Sequence, residues 1–368
     1  MPVPFTSGPT LADVTPSAAA AIGVPGFADV LGLGPVQHVV VCLVDGLSWT
    51  ALQAHRALAP AVTDLAGGAI AAAFPTTTPV GLGSLGTGLL PGTHGLVGAA
   101  FELPETGEVL SPLQWGAHPT PVAVQPEPTV FERVARTGAR VTTVAPGAYR
   151  DSGLTRAALR GAEYVPAEDI PSRVAALHQT QSTAERTFTY VYWPELDRTG
   201  HEFGLDSDQW RRALQRVDRL VAGLGDVLVP GSAMVVTADH GMVDCPREER
   251  IDVEADARLV AGVRRIAGEP RARHVYVHEG AQEDVRAAWA EVLGGAATVL
   301  SRRDLVEAGY FGDVDPGVAD RIGDVMAIAR GRAMLASVVD PTVSQLIGQH
   351  GALTDDELLI PALVRSAS

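Results

Sequence analysis

The chain has 368 residues, of which 46% are hydrophobic, and a formal net charge of −15. That is ample for a large α/β core, and the acidity argues against a surface for nucleic-acid polymers or anionic membranes. There is no lysine, which excludes a P-loop lysine, a Schiff base and a Ser–Lys mechanism.

Residues Met1 to Pro35 are rich in Ala, Pro and Gly and nearly free of charge, and are expected to lie over the domain surface as a lead-in. The first basic residue is Arg56, Pro25 and Gly26 interrupt the Ala-rich stretch, and no apolar run is long enough to span a bilayer. The expectation is a soluble, cytoplasmic protein. Cys42 and Cys245 stand far apart and outside any Cys-x-x-Cys pattern, so neither a disulfide framework nor a thiolate metal site is expected.

His38 to Val44 reads as a fully buried strand, followed by a helix from about Ser48 to Leu58. Ala69 to Phe74 is a second short strand, and Val80 to Leu89 a Gly-diluted helix that Pro79 could open. Arg140 to Ala145 and Thr187 to Trp193 are further strands. Asp206 to Leu224 carries Trp210, Leu214, Val217 and Leu220 at helical spacing, and Ala233 to Thr237 is another buried strand. His274 to Val277, Gln282 to Leu293 and Ala297 to Leu300 form a later β-α-β-like unit. Buried strands separated by helices imply a mostly parallel central sheet covered on both faces. The expected organisation is a single catalytic domain over residues 1–368, with an inserted subdomain at about 245–330.

In such sheets active residues collect past the carboxyl ends of the strands. Asp45 ends the first strand, Asp239-His240-Gly241-Met242 follows the strand Ala233 to Thr237, and Asp197-x-x-x-His201 follows Tyr192-Trp193. His350 lies in the Gly-bounded run Gly348-Gln-His-Gly351. Taken singly, each also reads as a helix cap, a solvated loop or a surface histidine. Together, carboxylates and imidazoles in these positions suit Zn²⁺, with Mn²⁺ or Fe as substitutes. Thr78, in Phe74-Pro-Thr-Thr-Thr78-Pro-Val-Gly-Leu-Gly-Ser84, is a hydroxyl nucleophile ahead of a helix start, and metal coordination would activate it.

In these motifs the chain resembles the nucleotide pyrophosphatase/phosphodiesterase (type I phosphodiesterase) family of the alkaline phosphatase superfamily. The likeness rests on Phe74-Pro75-Thr76-Thr77-Thr78, Ser84, Thr87-Gly88, Pro91-x-x-His94-Gly95, Asp197-x-x-x-His201, Asp239-His240-Gly241-Met242 and Gly348-x-His350-Gly351, in that order. The resemblance implies an alkaline phosphatase-like α/β fold and a nucleophile at Thr78. It implies one metal on Asp197, His201 and His350, a second on Asp45, Asp239 and His240 with the Thr78 oxygen facing it, and a structural role for His94. The implied activity is metal-dependent hydrolysis of small phosphodiesters or pyrophosphates through a phospho-threonine, with Tyr192 as a stacking contact for substrate. The chain departs from the family at Pro79, where members carry an aromatic, and at Ala99, where they carry an Asn. Those changes bear on specificity more than on the reaction. A phosphomonoesterase or phosphonate hydrolase on the same scaffold, or a non-catalytic phosphate-binding member, are the alternatives. Phosphonoacetate-type enzymes use lysines that this chain lacks.

Overall fold

A computed structural model describes residues 8–367. Eleven strands form the two main sheets: β1 (His38–Val44), β2 (Ala66–Ala71), β3 (Arg140–Ala145), β4 (Glu163–Pro166), β5 (Thr187–Trp193), β6 (Ser232–Thr237), β7 (Val263–Glu269), β8 (Ala272–Val277), β9 (Ala297–Ser301), β10 (Val325–Ala329) and β11 (Leu359–Ala367). The larger sheet has seven strands in the order β2-β11-β6-β1-β5-β3-β4. Strands β6, β1, β5, β3 and β4 run parallel, and β11 is antiparallel to both β6 and β2. Every residue of β1 and β6 is buried, which explains their continuous apolar reading: both faces are covered, so no polar alternation is imposed.

Several elements differ from the sequence expectation for identifiable reasons. The N-terminal lead-in contains a helix, Val14–Ala21, whose Val14, Ala18 and Ala19 join the main core. Small side chains let it sit close, and their weak periodicity hid it; residues 1–7 of that expectation lie outside the described residues. Strand β2 ends at Ala71, and the chain leaves the sheet early to make the cis Phe74–Pro75 turn. Strand β11 was not anticipated. Its Pro361 sits where the strand pairs only with Ala69 of β2, and pairing to β6 starts one residue later, so the missing N–H is tolerated.

Residues 263–329 build the second sheet, antiparallel, in the order β7-β8-β10-β9. The helix Gln282–Leu293 links β8 to β9 as its spacing suggested, but β10 lies between those strands, so the unit is a split one. It has its own apolar cluster around Val275, Val285, Trp289 and Ala327. Arg271, at the tip of the β7–β8 hairpin, is fully buried and ties this sheet to the larger one. Its Nε donates to Glu357 Oε1 at 3.0 Å and its Nη2 to Oε2 at 2.6 Å, while Ala352 N donates to the same Oε1 at 2.9 Å.

The helix Thr78–Thr87 is buried along its whole length. Thr77 is its N-cap, so Thr78 is the first helical residue, and Gly88 ends it in the left-handed region at φ 71°. Gly86 lets this helix lie against the helix Gly153–Ala158: a Cβ there would come within 1.7 Å of the Ala158 carbonyl oxygen. Ala favours helix over Gly by roughly 1 kcal/mol, yet the clash dominates. Gly86→Ala is therefore expected to lower stability by roughly 1–3 kcal/mol, read from denaturant unfolding midpoints.

Candidate metal centre

The parallel strands deliver the acidic side chains to one edge. Asp45 follows β1 directly, and Asp239 and His240 lie just past β6. Asp197 and His201 sit on one face of the helix Glu195–Phe203 that follows β5, four residues apart. Gly46 turns the chain at φ 72°, and a Cβ there would lie 2.9 Å from the Asp197 Cα, so only glycine allows the two strand ends to approach this closely. His350 arrives on the short ladder in which Gly348 and Gln349 pair with Asp244 and Val243.

All seven sequence candidates around the proposed metals converge. His201 Nε2 lies 3.4 Å from Asp197 Oδ2 and 3.3 Å from His350 Nε2. His240 Nε2 lies 3.5 Å from Asp45 Oδ1 and 3.5 Å from Asp239 Oδ2. Thr78 Oγ1 is 3.1 Å from His240 Nε2. The two trios are not separate: the His240 and His350 rings stack at 3.7 Å, and Asp197 is grouped with His201 and His350 and also with Asp45 and His240.

Three observations bear on whether this donor set fits cations. Each imidazole is oriented by its Nδ1 against a backbone carbonyl: His201 on Gly348 at 2.7 Å, His240 on Gly241 at 2.9 Å and His350 on Thr76 at 2.8 Å. With Nδ1–H donating outward, each Nε2 presents a lone pair to the centre, the arrangement of metal-ligating histidines. Second, Asp45 Oδ1, Asp197 Oδ1 and Asp239 Oδ2 are buried and have no hydrogen-bond partner among the described residues. Third, the charges are uncompensated. Burial, then the neighbouring Asp239 and Asp197, push the Asp45 carboxyl well above its ordinary range. Burial also raises Asp239, with His240 opposing and Asp197 adding to the rise. Burial and the adjacent His240 and His201 drive His350 well below its ordinary value, which keeps it neutral. Buried carboxylate oxygens without donors, facing imidazole lone pairs, are a fit to divalent cations.

The surrounding threonines divide by role. Thr76 is committed to structure: its Oγ1 donates to Ala352 O at 2.9 Å and accepts from Gly351 N at 2.9 Å, which joins the Thr78 turn to the His350 loop. Thr78 turns its hydroxyl to the centre, toward His240 Nε2. His94 is buried and held by Ser84 Oγ at 3.0 Å and Leu96 N at 3.2 Å, and burial drives it down to about 3, so it is a neutral structural group. Tyr192 donates its hydroxyl to Asp45 Oδ2, and its ring forms one wall of a cleft beside Thr78. Sequence reading gave it a stacking role and missed the hydroxyl contact, which no spacing reveals.

Glu269 was also missed, and nothing in its sequence context marks it. Fully buried, it accepts from Ala99 N at 3.0 Å through Oε2, while Oε1 has no partner among the described residues. Burial pushes its carboxyl from 4.5 up to about 8, with the Ala99 N–H opposing. The folded chain therefore keeps a proton that the unfolded chain releases. The stability this contributes is complete below 4.5 and is lost as pH rises through about 8. Glu269→Gln is expected to flatten the fall in stability between about pH 5 and 8, by on the order of a few kcal/mol, measured as unfolding midpoints across a pH series.

The model of the family described as type I phosphodiesterase/nucleotide pyrophosphatase matches residues 39–353. The bis(5'-adenosyl)-triphosphatase of Mus musculus is 33% identical over 78 residues, which is 19% of this chain and 16% of that protein. Its Homo sapiens counterpart is 31% identical over 75 residues, 19% of this chain and 17% of the relative, so the match spans about a sixth of either protein's length. Among solved structures, murine ectonucleotide pyrophosphatase/phosphodiesterase 5 superposes with a TM-score of 0.71 at 20% identity, covering 90% of this chain and 88% of the other. An inactive form of the same protein in complex with AMP gives 0.68 at 20% identity, over 90% and 88% of the two chains. Phosphonoacetate hydrolase from Sinorhizobium meliloti 1021, in complex with phosphonoformate, gives 0.69 at 18% identity, over 90% and 91%. At these identities the structural likeness is one of fold: a large, mostly parallel α/β sheet of the alkaline phosphatase kind.

Proposed function

The chain belongs to the type I phosphodiesterase/nucleotide pyrophosphatase family, a family of phosphodiester and pyrophosphate hydrolases, and from that premise we propose that it cleaves small phosphodiesters or pyrophosphates through a covalent phospho-threonine at Thr78. The observation that carries this reading is the convergence of six carboxylate and imidazole donors around one hydroxyl, with three buried carboxylate oxygens left without protein donors.

Asp197, His201 and His350 would hold one divalent cation, and Asp45, Asp239 and His240 a second beside Thr78. Zn²⁺ is the natural occupant of this mixed set, with Mn²⁺ or Fe as substitutes. Bound there, the two ions would lower the pKa of the attacking oxygens and neutralise charge on the transferring phosphoryl group. The chain's own residues then perform two in-line displacements. In the first, Thr78 gives up its hydroxyl proton, its Oγ–P bond forms, the ester P–O bond breaks, and the leaving oxygen takes up a proton to depart as the alcohol. In the second, water attacks phosphorus on the opposite side and the Oγ–P bond breaks, restoring Thr78. Thr78 is the first residue of its helix. Pro79 has no N–H and the Gly81 amide is bonded to Thr77 O, so the Thr78 and Val80 amides are the first-turn donors that would be left for a phosphoryl oxygen. Tyr192, bonded to Asp45, keeps that carboxylate aimed at the centre. Thr76 keeps the Thr78 turn and the His350 loop in register.

A small-molecule substrate follows from the dimensions of the site, a cleft of about 530 Å³ rather than an extended groove. Among the described residues no helix is long and apolar enough to cross a membrane.

Thr78→Ala is expected to lower hydrolysis of bis(p-nitrophenyl) phosphate at least a thousandfold while metal content, measured by elemental analysis, stays near two per chain. Full activity in that variant would remove Thr78 from the chemistry. Comparing rates on p-nitrophenyl mono- and diesters separates this reading from a phosphomonoesterase. Zn²⁺ added to the metal-stripped protein is expected to raise the melting temperature, and a chelator to reverse it, because the ion binds only the assembled donor set.

A further inference from the structure

Cations at the centre would neutralise one phosphoryl group and leave any other charge on a substrate unanswered. The cleft beside Thr78 is lined by three carboxylates, Asp45, Asp197 and Glu202, and among the described residues by one permanent cation, Arg198. In a chain of net charge −15 that has no lysine, a second negative group on a ligand finds few partners.

Arg198 is placed by the helix that supplies two of the proposed ligands. Asp197 and His201 share one face of Glu195–Phe203, and Arg198 and Glu202, each one residue further, share the adjoining face. Both line the cleft and both are exposed. The Arg198 guanidinium has no hydrogen bond or ion pair among the described residues, with Glu202 or any other carboxylate. Neighbouring arginines are committed: Arg216 to Glu195, Arg211 to Asp206 and Arg150 to Tyr164 O. A second open donor lies close by. Tyr149 lines the same cleft, is 41% exposed, and its hydroxyl has no partner among the described residues. Its ring meets the Tyr192 ring edge-on at 5.9 Å, and its hydroxyl feels the charges of Asp45, Arg198 and Asp197, so it is near both the centre and the guanidinium. An exposed arginine on a helix is ordinarily solvated and silent. This one stands in a concave wall, one residue from a proposed ligand, and is unpaired within reach of a ligand.

We propose that Arg198, assisted by the Tyr149 hydroxyl, is a specificity determinant that reads a second anionic group on the substrate, a phosphate or carboxylate held by a short spacer from the phosphoryl group at Thr78. This rests on the phosphodiesterase reading for that phosphoryl group, and it adds the charge of what is attached to it. A planar guanidinium offers paired N–H donors that match two oxygens of either anion, which a neutral alkyl or aryl ester group cannot use.

The test is calorimetric binding to the zinc-loaded protein of three phosphonates that cannot be hydrolysed: ethylphosphonate, 3-phosphonopropionate and ethane-1,2-diphosphonate. At least one of the two probes with a second anion is expected to bind roughly tenfold tighter than ethylphosphonate, the scale of one charge-assisted hydrogen bond, and the preference should shrink as salt is raised. Whichever probe gains names the anion as carboxylate or phosphate. In Arg198→Met the preference should fall to within about twofold, while Arg198→Lys keeps part of it because charge remains without the fork. Tyr149→Phe should lose a smaller part. The residue is exposed, so the melting temperature of Arg198→Met should match that of the parent. No preference in the parent, or a preference that survives undiminished in Arg198→Met because the second anion binds the cations instead, would overturn the assignment. Binding is read without turnover. A protein that hydrolyses no diester yet shows an Arg198-dependent preference would sink the enzymatic reading alone, and an active diesterase without the preference would sink the role of Arg198 alone.

Discussion

A cluster of acids and imidazole lone pairs without a cation of its own is the constraint around which this molecule is arranged. Burial opposes the ionisation of Asp45 and Asp239, and the neighbouring Asp197 carboxylate adds to the penalty on both. The protein does not answer with Arg; it aligns the three imidazoles through backbone carbonyls so that they too present acceptors. Every contact in the centre therefore asks for an external positive charge. The rigid parallel strands β1, β5 and β6 make the cost bearable, because their carboxyl ends cannot relax apart without breaking the most buried ladder of the fold.

Much of this was legible in the sequence, and the reason is geometric. β1 and β6 are buried on both faces, so their apolar runs appear almost without interruption, and the acidic residue just past each one stands out. The helix Gln282–Leu293 was equally plain from its periodicity. What escaped depended on long-range pairing. Pro361 disguised β11, whose position between β6 and β2 is set only by the folded sheet. The helix Val14–Ala21 has too many small residues to show a stripe. The insertion of β10 between β8 and β9 cannot be inferred from connection length. Within the site, the ligand types were visible because their chemistry is unusual at strand ends. The hydroxyl contact of Tyr192 to Asp45 was not, since Tyr is an ordinary strand former and only the folded sheet brings the two together.

Tyr192 joins the two halves of the site. Its hydroxyl holds Asp45 at the centre, and its ring lies within 6.4 Å of the Tyr190 ring in a stacked arrangement on the cleft side. A shift of this one ring would alter both the aim of a candidate ligand and the width of the cleft.

The Arg271–Glu357 pair lies outside the chemistry, yet it has consequences for how the chain can change. It is fully enclosed, and Glu357 also anchors the segment that runs from His350 to β11. Deleting residues 263–329 would therefore strand a naked carboxylate beneath the loop that presents a histidine to the centre. The smaller sheet has the look of a detachable ornament, but it behaves as a buttress: pruning it would dismantle the pocket from behind, so variation there should favour its outer face and spare the hairpin tip.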